Sequence, residues 1–162
     1  MKTTIDINGK PVEIVLTKEQ VEVIKKASAD PMDCETWEAI CSAGNIDPVK
    51  SLPFPSPVTK KQVSANGLFK LETIFDAYNH REEFTSSVHS AWEPDYTNGS
   101  QWKYYPWHEW VASRSAFVST GTNFTFTSSS LGSRLCTDTD AKAIRIAKTF
   151  NAEWNEFLNP KI

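Results

Sequence analysis

Apolar and polar positions alternate between residues 3 and 16 around the pair Asn8-Gly9, with Ile5 and Ile7 before it and Val12, Ile14 and Leu16 after it. A period of two across a dipeptide that readily takes two positive φ values predicts a β-hairpin. Pro11 has no N–H to give a ladder, so its strand belongs at an edge or its ring at the hairpin end. Thr17-Lys18-Glu19-Gln20 then has capping-box spacing: the Thr17 hydroxyl can take the Gln20 N–H while the Gln20 side chain reaches back. The period changes to that of a helix, with Val21, Ile24 and Ala27 on one stripe and Val23 alongside. It stops near residues 28–31, because the residue before Pro31 avoids helical angles.

Glu35 to about Ser42 forms a second short helix with Trp37, Ile40 and Cys41 on one side and Gly44 placed as its C′ residue. From Asp47 to Val58 the prolines at 48, 53, 55 and 57 predict an extended linker over the surface. Leu68, Leu71, Ile74, Phe75 and Tyr78 recur at helical spacing from about Asn66 to His80. Phe117-Val118 and Phe124–Thr127 are rich in strand formers and are separated by the turn-prone Thr120-Gly121-Thr122-Asn123. They are predicted to pair, with Ser133–Cys136 as a third strand. Thr137 to Asp140 offers a hydroxyl cap and acidic residues to a closing helix that runs to about Leu158. Ile144, Ala147, Phe150, Trp154 and Phe157 share its apolar face. The predicted class is α+β: a small antiparallel sheet packed by helices, with an N-terminal β-hairpin–helix unit. The expected division is residues 1–58, hairpin, helix and proline linker, and residues 59–162, an aromatic-rich core domain.

A chain of 162 residues buries roughly two thirds of its unfolded surface and needs no disulfide or metal to stand alone. Its apolar fraction is 40% and its charged fraction 23%, and no apolar run approaches the ~20 residues of a membrane span. The first residues lack the apolar core of a signal peptide, so a cytoplasmic location is expected. Cys34, Cys41 and Cys136 are odd in number and fit no zinc or redox spacing, which reads as free thiols in a reducing compartment. The net charge of −3 is spread evenly, seven Lys/Arg against nine Asp/Glu in residues 1–60 and ten against eleven in residues 61–162. Duplex nucleic acid is excluded as a partner, since phosphate neutralisation requires a basic patch that this chain lacks.

The candidate chemistry gathers between Trp92 and Cys136, which holds four of the six tryptophans. Trp102, Tyr105 and Trp107 are read either as the core of an irregular region or as the lining of a concave site. His108-Glu109 are neighbours that a strand would point to opposite faces, so they make no dyad unless the backbone bends. His80 and His89 lie nine residues apart without an HExxH pattern, and no metal or cofactor is expected. Ser133 and Arg134, after a hydroxyl-rich run, are the candidate anion contacts, because a guanidinium fork matches phosphate or carboxylate. The alternative for Arg134 is a structural ion pair. Cys136 follows Arg134 by two and precedes a helix, features that lower a thiol pKa, but it is read as a structural thiol because free cysteines are mostly small core residues.

The order Trp92-x-Pro94-Asp95, Asn98-Gly99, Trp102-x-x-Tyr105-Pro106-Trp107, Gly132-Ser133-Arg134-Leu135-Cys136 and a closing amphipathic helix resembles a family of small uncharacterised proteins encoded by phages and prophages of gut Bacteroides-type bacteria. The resemblance covers about residues 66–158. It departs between Trp107 and Gly132, which is Ser/Thr/Phe-rich here where that family is often Gly- and Tyr-rich. It implies a phage-derived accessory protein acting inside a bacterial host cell, with counter-defence as one such role. The expected function is non-enzymatic binding of a host protein or a small anionic ligand, through Trp102, Tyr105, Trp107, His108, Ser133 and Arg134. A homo-oligomer is left open. One alternative is a small enzyme using Cys136 or His108 with Arg134, and another a single-stranded nucleic-acid binder that stacks bases on the aromatics.

Overall fold

The computed structural model describes residues 2–7, 10–21, 30–85, 89–125 and 135–162. These fall into two compact units, Met1–Asp30 and Pro31–Ile162. In the first, β1 (Lys2–Ile7) and β2 (Lys10–Val15) pair antiparallel from Lys2↔Val15 to Ile7↔Lys10. That register leaves Asn8-Gly9 as the connection, and both residues lie outside the described ones. The predicted capping box is formed: the Gln20 N–H donates to Thr17 Oγ1 at 3.2 Å and the Thr17 N–H to Gln20 Oε1 at 2.9 Å. Helical residues 18–21 follow, and the rest of the predicted helix, with Val23, Ile24 and Ala27, lies outside the described residues.

In the second unit, α1 (Trp37–Ala43), α2 (Lys60–Tyr78), α3 (Asp140–Thr149) and α4 (Asn151–Leu158) enclose the core. Helix α2 starts well before the predicted Asn66, because Thr59 and Gln62 form a second capping box. Its Leu71, Ile74, Phe75 and Tyr78 are fully buried with Ile40, Cys41, Ile146 and Phe150. Helix α2 ends in a Schellman closure, in which left-handed His80 (φ 53) donates its N–H to Ala77 O while the Arg81 N–H reaches Asp76 O. Helix α1 closes in the same way, but Asn45 (φ 54), not Gly44 (φ −86), takes the left-handed position. Gly44 is needed for space: a Cβ there would come within 2.7 Å of the Phe84 ring.

The proline-rich segment is fastened to this body and does not act as a linker. Trp37 Nε1 donates to Pro48 O at 3.1 Å, and Phe54 exchanges two hydrogen bonds with the buried Asn66 side chain, at 3.0 and 2.8 Å. Side chains thus supply partners to a backbone that has no ladder of its own. The boundary between compact units falls at Asp30, ahead of α1 and its core residues, where the prolines had suggested residue 58.

The aromatic run is itself a strand. β3 (Lys103–Val111) pairs antiparallel with β4 (Ala116–Thr125), from Lys103↔Thr125 to Val111↔Ala116, with a bulge that leaves Thr120 unmatched. Of the segments expected to pair with each other, Phe117-Val118 and Phe124-Thr125 therefore belong to one strand, β4, and Thr120 to Asn123 is no turn; Phe126 and Thr127 lie outside the described residues. The reversal comes at Ala112–Arg114 and left-handed Ser115 (φ 46). Pro106 is tolerated inside β3 for a geometric reason. The Tyr104 N–H points to the outer edge, where it donates to Thr137 O at 3.0 Å. Pro106, two residues on, turns its missing N–H to the same edge. Leu135-Cys136 is not a strand; Thr137 alone bridges to Tyr104, and Ser133, Arg134 and residues 126–132 lie outside the described residues. The closing helix is broken at Phe150 into α3 and α4. Asn155 clips the edge of β4 by both accepting from the Phe117 N–H and donating to its carbonyl, each at 2.8 Å. Among the described residues no helix is long and apolar enough to cross a membrane.

Candidate functional site

Strand alternation divides the candidate residues between the two faces of the β3–β4 ribbon. His108 faces the helices, its ring centroid 4.4 Å from that of Trp154. Tyr105 and Trp107 take the other face, where Trp107 is 48% exposed opposite Gly121, and a Cβ on that glycine would meet nothing within 4 Å. Trp102 lies at the ribbon's start, its centroid 4.6 Å from Phe124, while Tyr104 and Phe124 are register partners 6.4 Å apart. Trp102, Tyr105, Trp107 and His108 therefore do not converge on one cleft. What the sequence reading missed is the cluster Trp102–Tyr104–Phe124 and the pair Trp110–Phe117 at 5.4 Å. Their signal was legible: Trp102, Tyr104, Pro106, His108 and Trp110 recur at every second position. Trp102, Trp110 and Phe124 are 42%, 50% and 48% exposed, an unusual degree for rings of this size.

The two groups considered for catalysis sit in settings that suppress reactivity. Cys136 is buried, and burial raises its thiol pKa, partly offset by the Tyr96 hydroxyl 3.7 Å from the sulfur. A thiol held protonated is a poor nucleophile. Its carbonyl accepts from Asn79 Nδ2 at 2.8 Å, which ties it to the end of α2. Burial likewise holds the His108 imidazole down at about 4, leaving a weak base at neutral pH. Because the folded pKa lies below the ordinary value near 6.5, the unfolded chain binds the proton more readily. The contribution of His108 is complete above about pH 6.5 and is lost as pH falls toward 4. For a partly buried ring the loss is about 1–2 kcal/mol after screening. Urea titrations at pH 7 and pH 4.5 should show this acid loss reduced in His108→Phe; an identical loss in both proteins would assign it to other groups.

Two further features belong to the second unit. A cleft of about 370 Å³ is lined by Glu72, Asp76, Arg81, Glu82 and Glu93, with Arg81 paired to Asp76 at 2.6 Å. Burial raises the Asp76 pKa against the opposing pull of Arg81. The imidazoles of His80 and His89 stack at 4.4 Å and 10°. No protein-family model, curated protein or solved structure matches the chain.

Proposed function

We propose that the chain is a binding protein that docks another protein through the aromatic cluster at the start of the β3–β4 ribbon. The observation that carries this is the contiguous exposure of Trp102 and Phe124 beside Tyr104. Large rings exposed to this degree forgo part of the stabilisation of burial, and they are the residue types that dominate interface energetics. Their geometry favours a protein over a base or a sugar. Trp102 and Tyr104 lie nearly parallel, at 14° with centroids 6.1 Å apart, but Phe124 tilts from them by 50° and 56°, so the three rings make a faceted knob with no common stacking plane. The resemblance read from the sequence implies a protein of a bacterial host cell as the partner, in an accessory role such as counter-defence.

The test places a photo-crosslinking residue at exposed Ser100 of the full chain, expressed in bacteria. A discrete adduct is expected that disappears in the Trp102→Ser/Phe124→Ser variant, since loss of such anchors removes about 2 kcal/mol or more of binding. No adduct, or one indifferent to both substitutions, would refute the docking surface. An adduct of twice the chain's mass reassigns the knob to self-association.

A further inference from the structure

The seam between the ribbon and the closing helices contains a set of polar atoms that the protein does not satisfy. His108 Nε2, Trp154 Nε1 and Asn151 Oδ1 are each buried, and among the described residues none has a hydrogen-bond partner. They are neighbours. Trp154 and Asn151 stand one turn apart on α4, and the His108 ring lies 4.4 Å from the Trp154 ring. One turn further on, Asn155 exchanges two hydrogen bonds with Phe117 of β4, and Asn159, just past the end of α4, donates from Nδ2 to Ser115 O at 3.1 Å. Native proteins rarely leave buried polar groups unmatched, so three at one seam call for a guest.

The chemistry of the seam constrains that guest. The Trp154 N–H can only donate and the Asn151 oxygen can only accept, so the guest must offer both an acceptor and a donor. A groove that opens at Asn151 adds charge. It has a volume of about 260 Å³, lies between β4 and the α3–α4 junction and reaches Ser119, the register partner of His108. Arg114 and Lys148, both exposed, are the charged residues among those described that line it, and Ala116 and Ala147 leave it open. The volume exceeds the ≈ 30 Å³ share of a single water several-fold.

We infer that this groove binds a small hydroxycarboxylate-type anion, its carboxylate at Arg114 and Lys148 and its hydroxyl at Asn151 and the His108–Trp154 pair. The site is separate from the aromatic knob and does not depend on it. It also differs from the expected anion contacts, Ser133 and Arg134, which lie outside the described residues.

The test follows the Trp154 indole N–H and the Asn151 side-chain amide in the nitrogen-15-labelled full chain while lactate or acetate is added. Lactate should move both signals saturably. Acetate, which has no hydroxyl, should bind at least about tenfold more weakly, and Lys148→Ala and Arg114→Ala should each weaken lactate by about tenfold, the scale of a hydrogen bond to a charged group. Both cations are exposed, so these variants should melt like the parent. Signals that lactate leaves unmoved show water alone in the seam and overturn the site, as does a response undiminished in Lys148→Ala. The Trp102→Ser/Phe124→Ser variant should keep its lactate response, so this inference and the docking proposal stand or fall separately.

Discussion

Replacing Trp154 with alanine should lower the stability of the chain by about 3–5 kcal/mol, the range for deleting a large buried aromatic. The indole is 6% exposed and lies where three elements meet. It packs edge-on against Phe75 of α2 at 6.3 Å, and the His108 ring of β3 lies 4.4 Å away. Its removal opens a cavity at the junction of α2, α4 and the ribbon. A Trp154→Phe variant separates packing from polarity. Phenylalanine keeps an aromatic ring while removing an N–H that has no protein partner, and leaving such a donor unmatched costs about 1–3 kcal/mol. Its loss should therefore stay under about 1.5 kcal/mol, as for a shape-conserving core change. Urea unfolding of both variants checks the pair. A loss under about 1 kcal/mol for alanine would mean that α4 is held by another face.

The elements that the sequence revealed are those whose signals are local. The Thr17–Gln20 box, the α1 stripe of Trp37, Ile40 and Cys41, and the buried Phe150 and Trp154 all follow from short-range spacing and appear as expected. The α+β class followed from them. The ribbon was obscured by Pro106, which ordinarily ends a strand and here lacks its N–H on the side where no β4 hydrogen bond is needed. Gly121 misled in the opposite way: between turn-prone neighbours it suggests a reversal, yet it sits inside β4 facing Trp107. The proline-rich segment was read by composition as a linker, while its attachment depends on Asn66, a long-range partner that composition cannot show. The candidate site was legible only in part. Aromatic content pointed to the right stretch, but which rings are exposed depends on where the helices end beneath the ribbon. Arg114, Lys148 and Asn151 come together only through the α3–α4 break.

Gly67→Ala should destabilise the chain by about 2–3 kcal/mol, even though alanine is the better helix former by roughly 0.5–1 kcal/mol. Gly67 lies within α2 where α4 crosses it. A Cβ there would stand 2.5 Å from the Phe157 backbone nitrogen and 2.9 Å from both Phe157 Cα and the Glu156 carbonyl carbon. Backbone cannot rotate away as a side chain can, so relief requires moving a helix. Shifting α4 would strain the Ser64 hydrogen bond to Phe157 O at 2.8 Å and the Lys70–Glu156 pair at 2.7 Å. It would also pull on Asn155 and Asn159, which tie α4 to the ribbon through Phe117 and Ser115. The control is Gly121→Ala, where the added methyl meets nothing within 4 Å and the change should be neutral or mildly stabilising. Urea unfolding of the two variants, with the slope unchanged from the parent's, reads the difference as stability alone. If Gly67→Ala were tolerated as well as Gly121→Ala, the close approach of α2 and α4 would be refuted, and with it the role of the Gly67 contact in holding α4 against the ribbon.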